Sequence, residues 1–245
     1  RLFMYNPDAV AQWVQEKYPQ LMKEVPARTE IALPLTSVMP SVTPFCFGTM
    51  YTGAQPEVHG IRKYEKPVIF FGSSITEGGH AALVTNAYTA LLSRWLDFEY
   101  YNFGLSGGCI GQIDIAEYIC SLDPSVFVFD YDHNAFNALH LEKTHEPFFK
   151  YVREKCPLLP VIFMSAPNYD HMPEADERRA IIRKTYENAV NNGDKNVYFI
   201  DGKDFFGEEE RQFCTTDTIH LNDYGFHKTA RVIEPVLKEV LEGLQ

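Results

Sequence analysis

From Lys66 onward the chain alternates short, nearly uninterrupted apolar runs with helix-length amphipathic stretches. The runs are PVIFFG (67–72), FEYYNFG (98–104), SVFVFDYD (125–132), PVIFMSA (160–166) and NVYFID (196–201). Helical patterns lie between them near 86–96, 110–121, 142–155 and 174–192, with a last one at 223–243. Strands that are apolar on both sides need cover on both faces, and strands separated by helices pair in parallel. Their crossovers are right-handed. The expected fold is therefore α/β, a five-stranded parallel sheet with helices above and below it. Ligands in such sheets bind beyond the carboxyl ends of the strands. The chemically unusual residues of this chain stand there.

Ahead of that pattern the character differs. Asn6-Pro7-Asp8 reads as a helix start, with Val10, Trp13, Val14 and Lys17 at helical spacing until Pro19. From Glu30 to Gly60, prolines punctuate short apolar runs such as IALPL and TPFCFG, which predicts short strands and turns. Residues 1–65 are therefore expected to form a small N-terminal extension, a helix plus short β-strands, and residues 66–245 the main domain.

Composition narrows the partners. The formal net charge of -11 disfavours nucleic acid, which is bound largely through Lys and Arg at phosphates. Five cysteines, odd in number and without a C-x-x-C pair, suggest neither a disulfide framework nor a zinc site. A reducing, cytoplasmic setting is the expectation, although a chain that opens on Arg1 leaves secretion open. No apolar run approaches the roughly 20 residues that span a bilayer. Oligomeric state is not legible.

Four strand-end segments carry candidate chemistry. After the first run, Gly72-Ser73-Ser74-Ile75-Thr76-Glu77-Gly78-Gly79 is a small-residue turn that either exposes a nucleophilic Ser or cradles a phosphate. It lacks the Gly-Lys-Ser/Thr of a Walker loop, and no G-x-G-x-x-G follows the strand. After the second, Asn102 to Gly108 includes Gly107, where backbone can approach a ligand closely. After the third come Asp130, Tyr131, Asp132, His133 and Asn134; the acidic pair and His133 admit a metal reading, but no companion ligand pair has zinc spacing. Before the last helix, Asp217 precedes His220 by three residues, so its carboxylate can accept the imidazole Nδ1–H and leave Nε2 as a base. A plain helix cap is the alternative there, with Asn222 or Asp223 as the capping residue. Taken together, the segments supply nucleophile, oxyanion donors and base on one rim.

These residues resemble the GDSL-like, or SGNH, hydrolase family from about Lys66 to the C-terminus. Gly72-Ser73-Ser74 is similar to its nucleophile block, Gly107 to its second-block glycine, Asn134 in DYDHNA to its third-block asparagine, and Asp217 with His220 to its terminal D-x-x-H. A bacterial subgroup with GSSIT and DYDHNA wording looks closest, and its members carry a small β-rich piece ahead of the hydrolase domain. Two departures stand out: Gly79-His80-Ala81-Ala82-Leu83-Val84-Thr85 replaces a Cys-Ala-Ser-Arg-Pro-Gly-like loop, and Leu221 replaces a Pro after the catalytic His.

The resemblance implies a three-layer α/β/α, flavodoxin-like SGNH fold and a serine ester hydrolase. Catalysis would fall to Ser74, Asp217 and His220. The oxyanion hole would be the Ser74 and Gly107 backbone and the Asn134 amide. Asp130, Asp132, His133 and His80 are expected as supporting or substrate-binding residues, with no metal and no cofactor. The expected substrate is a small-molecule or oligosaccharide ester with a short acyl group, acetyl on carbohydrate being the leading choice. A lipase or acyl-thioesterase of the same family, a non-catalytic carbohydrate-binding relative and a flavin-binding module are the alternatives.

Overall fold

A computed structural model describes residues 66–167 and 172–244. The expected extension, 1–65, lies outside the described residues. Five strands, β1 (Val68–Gly72), β2 (Tyr100–Gly104), β3 (Val126–Asp130), β4 (Val161–Met164) and β5 (Val197–Ile200), form one sheet in the order β2-β1-β3-β4-β5. Every pairing is parallel. Among the described residues, six α-helices connect or follow the strands: α1 (Ser74–Glu77), α2 (Tyr88–Leu96), α3 (Ile113–Ser121), α4 (Ala138–Lys155), α5 (Ala175–Asn191) and α6 (Asp223–Glu242).

Burial explains the unbroken apolar runs. All residues of β1, β3 and β4 are buried, whereas the edge strands β2 and β5 are partly covered. Alternate side chains point to opposite faces. Phe71 and Phe129 meet Phe148 of α4 on one face, at ring separations of 4.9 and 5.0 Å. On the other face Phe70 meets Tyr88 of α2 edge-on at 5.8 Å. Each such buried ring stabilises the fold by about 1.5–3 kcal/mol relative to an exposed one. Beyond α2, Arg231 of α6 lies over the Trp95 ring at 4.7 Å and joins the two helices.

Strand positions match the expected runs to within three residues at each end. Two helices differ more. The third starts at Ile113 rather than 110 because Gly111 takes a φ of 79°, and a Cβ there would sit 2.8 Å from the Thr144 side chain and 3.0 Å from the Tyr131 ring. The fourth starts at Ala138 rather than 142 because Asn137 caps it, accepting from His140 N at 2.8 Å. No described helix is long and apolar enough to cross a membrane. The chain reverses direction across the sheet between β1 and β3, so their carboxyl ends open the crevice at which such sheets bind ligands.

Candidate active site

The turn after β1 is built to present Ser74. Ser73 caps α1, its Oγ accepting from Ile75 N at 3.1 Å, so Ser74 opens the helix with its own hydroxyl uncommitted to capping. Thr76, two residues on, points inward and donates to Asp130 Oδ2 at 2.7 Å, and Tyr88 OH donates to the same oxygen at 2.9 Å. Gly104 at the end of β2 makes room: a Cβ there would sit 2.1 Å from Glu77 N. Glu77 also accepts from Ser106 Oγ, tying the Ser74 turn to the loop of Gly107.

Asp130 is fully enclosed, and burial pushes its carboxyl from 3.8 up to about 7. A folded-state pKa above the unfolded one favours the protonated form. Its stability contribution is therefore complete below about pH 4 and is lost as pH rises through about 7. Thermal unfolding followed from about pH 5 to about pH 8 should show Tm falling more steeply in the native protein than in Asp130→Asn. Parallel curves would count against this account of Asp130.

On the far side of the crevice, a tight reverse loop carries Asp217 and His220. Thr215 and Leu221 pair as an antiparallel bridge, Thr216 N donates to His220 O at 2.9 Å, and Thr218 at the tip takes a φ of 75°. Asp217 Oδ1 accepts from His220 N at 2.7 Å and Ile219 N at 3.1 Å, while Oδ2 accepts from His220 Nδ1 at 2.7 Å. The bond from His220, chiefly, lowers the Asp217 carboxyl to about 2. A depressed pKa means a contribution present above the unfolded value of 3.8 and lost as pH falls through about 2. An ionised carboxylate only accepts, so His220 carries its proton on Nδ1 and turns the Nε2 lone pair outward. That nitrogen lies 2.9 Å from Ser74 Oγ. Asn222 caps α6 directly behind, accepting from Gly225 N at 3.0 Å.

Asn134 sits opposite, on the turn after β3. Its Oδ1 accepts from Gly107 N at 3.0 Å and Cys109 N at 3.3 Å. Two N–H donors on one oxygen fix the amide's orientation and leave Nδ2 facing away from that loop. Arg178 of α5 holds the same turn from below, donating to the carbonyls of Asp132 and Ala135, both at 3.0 Å. Asp132 Oδ2 accepts from Ala166 N at 2.9 Å, which links the turn to the end of β4. His133 is enclosed, and burial lowers its imidazole to about 4.

Asp130 thus braces α1 and its flank, whereas Asp132 ties the turn after β3 to the end of β4. Among the described residues, the group with metal-like spacing is His80, Asp217 and His220, whose ligand-type atoms lie within 4.8 Å of one another. Both His220 nitrogens and the Asp217 carboxylate already make hydrogen bonds. An ion there would have to dismantle the Ser74–His220–Asp217 chain. His80 lies against His220, with Nδ1 2.5 Å from Thr216 Oγ1.

Sequence reading did not single out Glu77 or Thr216 and offered Asp223 only as a helix cap; together with Arg178, these residues fix the site's loops. Asp223 receives Ala82 N at 2.8 Å and Asn86 Nδ2 at 2.9 Å. A polar residue at a helix start was the visible signal, but its partner lies far away in sequence.

A parallel three-layer sheet with a hydrogen-bonded Ser–His–Asp chain at its carboxyl rim is the arrangement of an acylhydrolase. The family described as GDSL-like Lipase/Acylhydrolase matches residues 65–238, and the chain belongs to that family. A search of curated proteins returned no match. Among solved structures, a candidate GDSL-like lipase from Bacteroides ovatus is 26% identical, with a TM-score of 0.66 over 73% of this chain and 54% of its own. A salicylyl-acyltransferase from a tetracycline biosynthetic pathway is 22% identical, with a TM-score of 0.63 over 73% of this chain and 56% of that one. A Clostridium thermocellum family 3 carbohydrate esterase is 20% identical, with a TM-score of 0.60 over 73% of this chain and 98% of that one. The alignment thus spans about half the length of the first two.

Proposed function

We propose that this protein is a serine esterase that removes short acyl groups, acetyl foremost, from carbohydrate. The observation that carries the reading is the unbroken chain from Ser74 Oγ through His220 to Asp217, at 2.9 and 2.7 Å. In the proposed reaction, Ser74 Oγ attacks the ester carbonyl carbon while His220 Nε2 takes the hydroxyl proton. The tetrahedral intermediate expels the alcohol, which receives that proton. Water then repeats the attack on the acyl-enzyme and releases the acid. Asp217 keeps His220 in the right tautomer and stabilises the imidazolium.

The developing oxyanion would be held by the Ser74 and Gly107 N–H groups and by Asn134 Nδ2. Gly107 N–H donates to Asn134 Oδ1 in the free enzyme, so it would exchange that acceptor for the oxyanion. A neutral amide suits the task because it needs no counter-charge in the resting site.

Likeness in fold to a family 3 carbohydrate esterase supports the sugar ester as substrate. Exposed apolar side chains on neighbouring loops, Val84 at 70%, Phe136 at 71% and Phe213 at 70%, favour a second reading, a longer or aromatic acyl group. Rates on p-nitrophenyl acetate, p-nitrophenyl laurate and acetylated oligosaccharides decide between them. For the acetyl esterase, kcat/KM on the acetate should exceed that on the laurate by roughly tenfold or more, the scale on which a pocket discriminates methylenes. The reverse order would favour the lipase reading.

A further inference from the structure

We propose that His80 is a positioning residue for the general base, holding the His220 ring by its face while Asp217 holds it by its edge. The inference rests on the assignment of His220 as that base. The two imidazoles stack with centroids 4.5 Å apart and planes 26° from parallel. The Thr216 hydroxyl donates to the His220 carbonyl at 3.3 Å. Thr216 Oγ1 also lies 2.5 Å from His80 Nδ1. That bond ties His80 to the loop that carries the base and sets its ring orientation.

Backbone geometry points the same way. His80 takes a φ of 71°, in the left-handed region that side-chain-bearing residues seldom enter. Such a conformation persists where the surroundings over-determine it. Here Gly79 N donates to Ser74 O at 2.8 Å on one side, and Ala82 N donates to Asp223 Oδ1 at 2.8 Å on the other. The segment is thereby strung from the nucleophile turn to the first residue of α6, and it arcs past the base. His80 is exposed, so core packing does not explain the strained conformation.

The physical need is clear. Asp217 pins Nδ1 but leaves the ring free to swing about that bond. A ring laid flat on one face blocks the swing and keeps Nε2 aimed at Ser74 Oγ. An error of about 1 Å in such an alignment costs on the order of 10²-fold in rate.

Three variants separate this role from others. His80→Ala removes the ring and its bond to Thr216, His80→Asn removes the ring but tolerates a positive φ, and His80→Phe keeps a ring without that bond. With p-nitrophenyl acetate, Ala and Asn should lower kcat about 10- to 100-fold with KM within about twofold, and Phe should restore most of the loss. Tm in the Asn variant should equal or exceed that of the native protein. The proton NMR signal of the His220 Nδ1–H should broaden in Ala and Asn. Unchanged kcat in both would overturn the proposal. So would a raised KM at constant kcat, which would mark a substrate contact, or a fall of Tm alongside kcat in all three. Activity retained by Ser74→Ala would instead sink the nucleophile assignment beneath it, a result the His80 variants do not imitate.

Discussion

Ser74→Ala should lower kcat on p-nitrophenyl acetate by about 10⁴-fold or more, leaving Tm within a few degrees of the native value. The size follows from losing the covalent intermediate altogether; what remains is water attack assisted by oxyanion donors and binding. The fold should tolerate the change because the structural work at this turn is done by neighbours. Ser73 supplies the helix cap, and Thr76 supplies the buried bond to Asp130. Alanine is also the best of helix formers. A correctly folded variant with more than a few per cent of native activity would remove Ser74 from the mechanism. Thermal unfolding of the same preparation distinguishes that result from misfolding.

Asp217→Asn should cost nearly as much, about 10⁴-fold in kcat, by a different route. Asn can keep the loop's shape, since its Oδ1 can still accept from His220 N and Ile219 N, now at 2.7 and 3.1 Å from Asp217 Oδ1. The other end of the side chain then carries an NH₂ where Oδ2 stood, facing His220 Nδ1. Two donors cannot share a bond, so the imidazole must move its proton to Nε2. That nitrogen can then no longer accept from Ser74 Oγ. The variant should fold with near-native Tm, and its kcat should fall with little change in KM. Near-native kcat in Asp217→Asn would show that tautomer control lies elsewhere.

The strands were legible because burial on both faces leaves a run of apolar residues that nothing else in the chain imitates. Ser74 could be picked out because it directly follows β1, and Asp217 with His220 because they lie in the loop that leads into α6, where topology brings distant segments together. Other features left no local mark. The four residues of α1 are too few to show a period. The start of α4 was set by Asn137 as a cap, and its first large apolar residue, Leu139, is 57% exposed and so gave no inward stripe. Asp130 stands four residues before Asn134, but its side chain turns toward Thr76 and Tyr88. The stacking of His80 on His220 joins segments whose loop conformations no spacing rule encodes.

The reverse loop from Thr215 to Leu221 has one more consequence. Asp217 and His220 share it, and their mutual bonds include backbone as well as side-chain contacts. They form a cassette held by its own bonds, whereas the link to Ser74 is a single hydrogen bond between side chains of distant segments. Local opening of a protein begins where buried contacts are few and hydrogen bonds are open to solvent. Mild denaturant should thus disconnect the cassette from its serine while the acid–base pair stays assembled. Inactivation would then precede global unfolding, and dilution would reverse it.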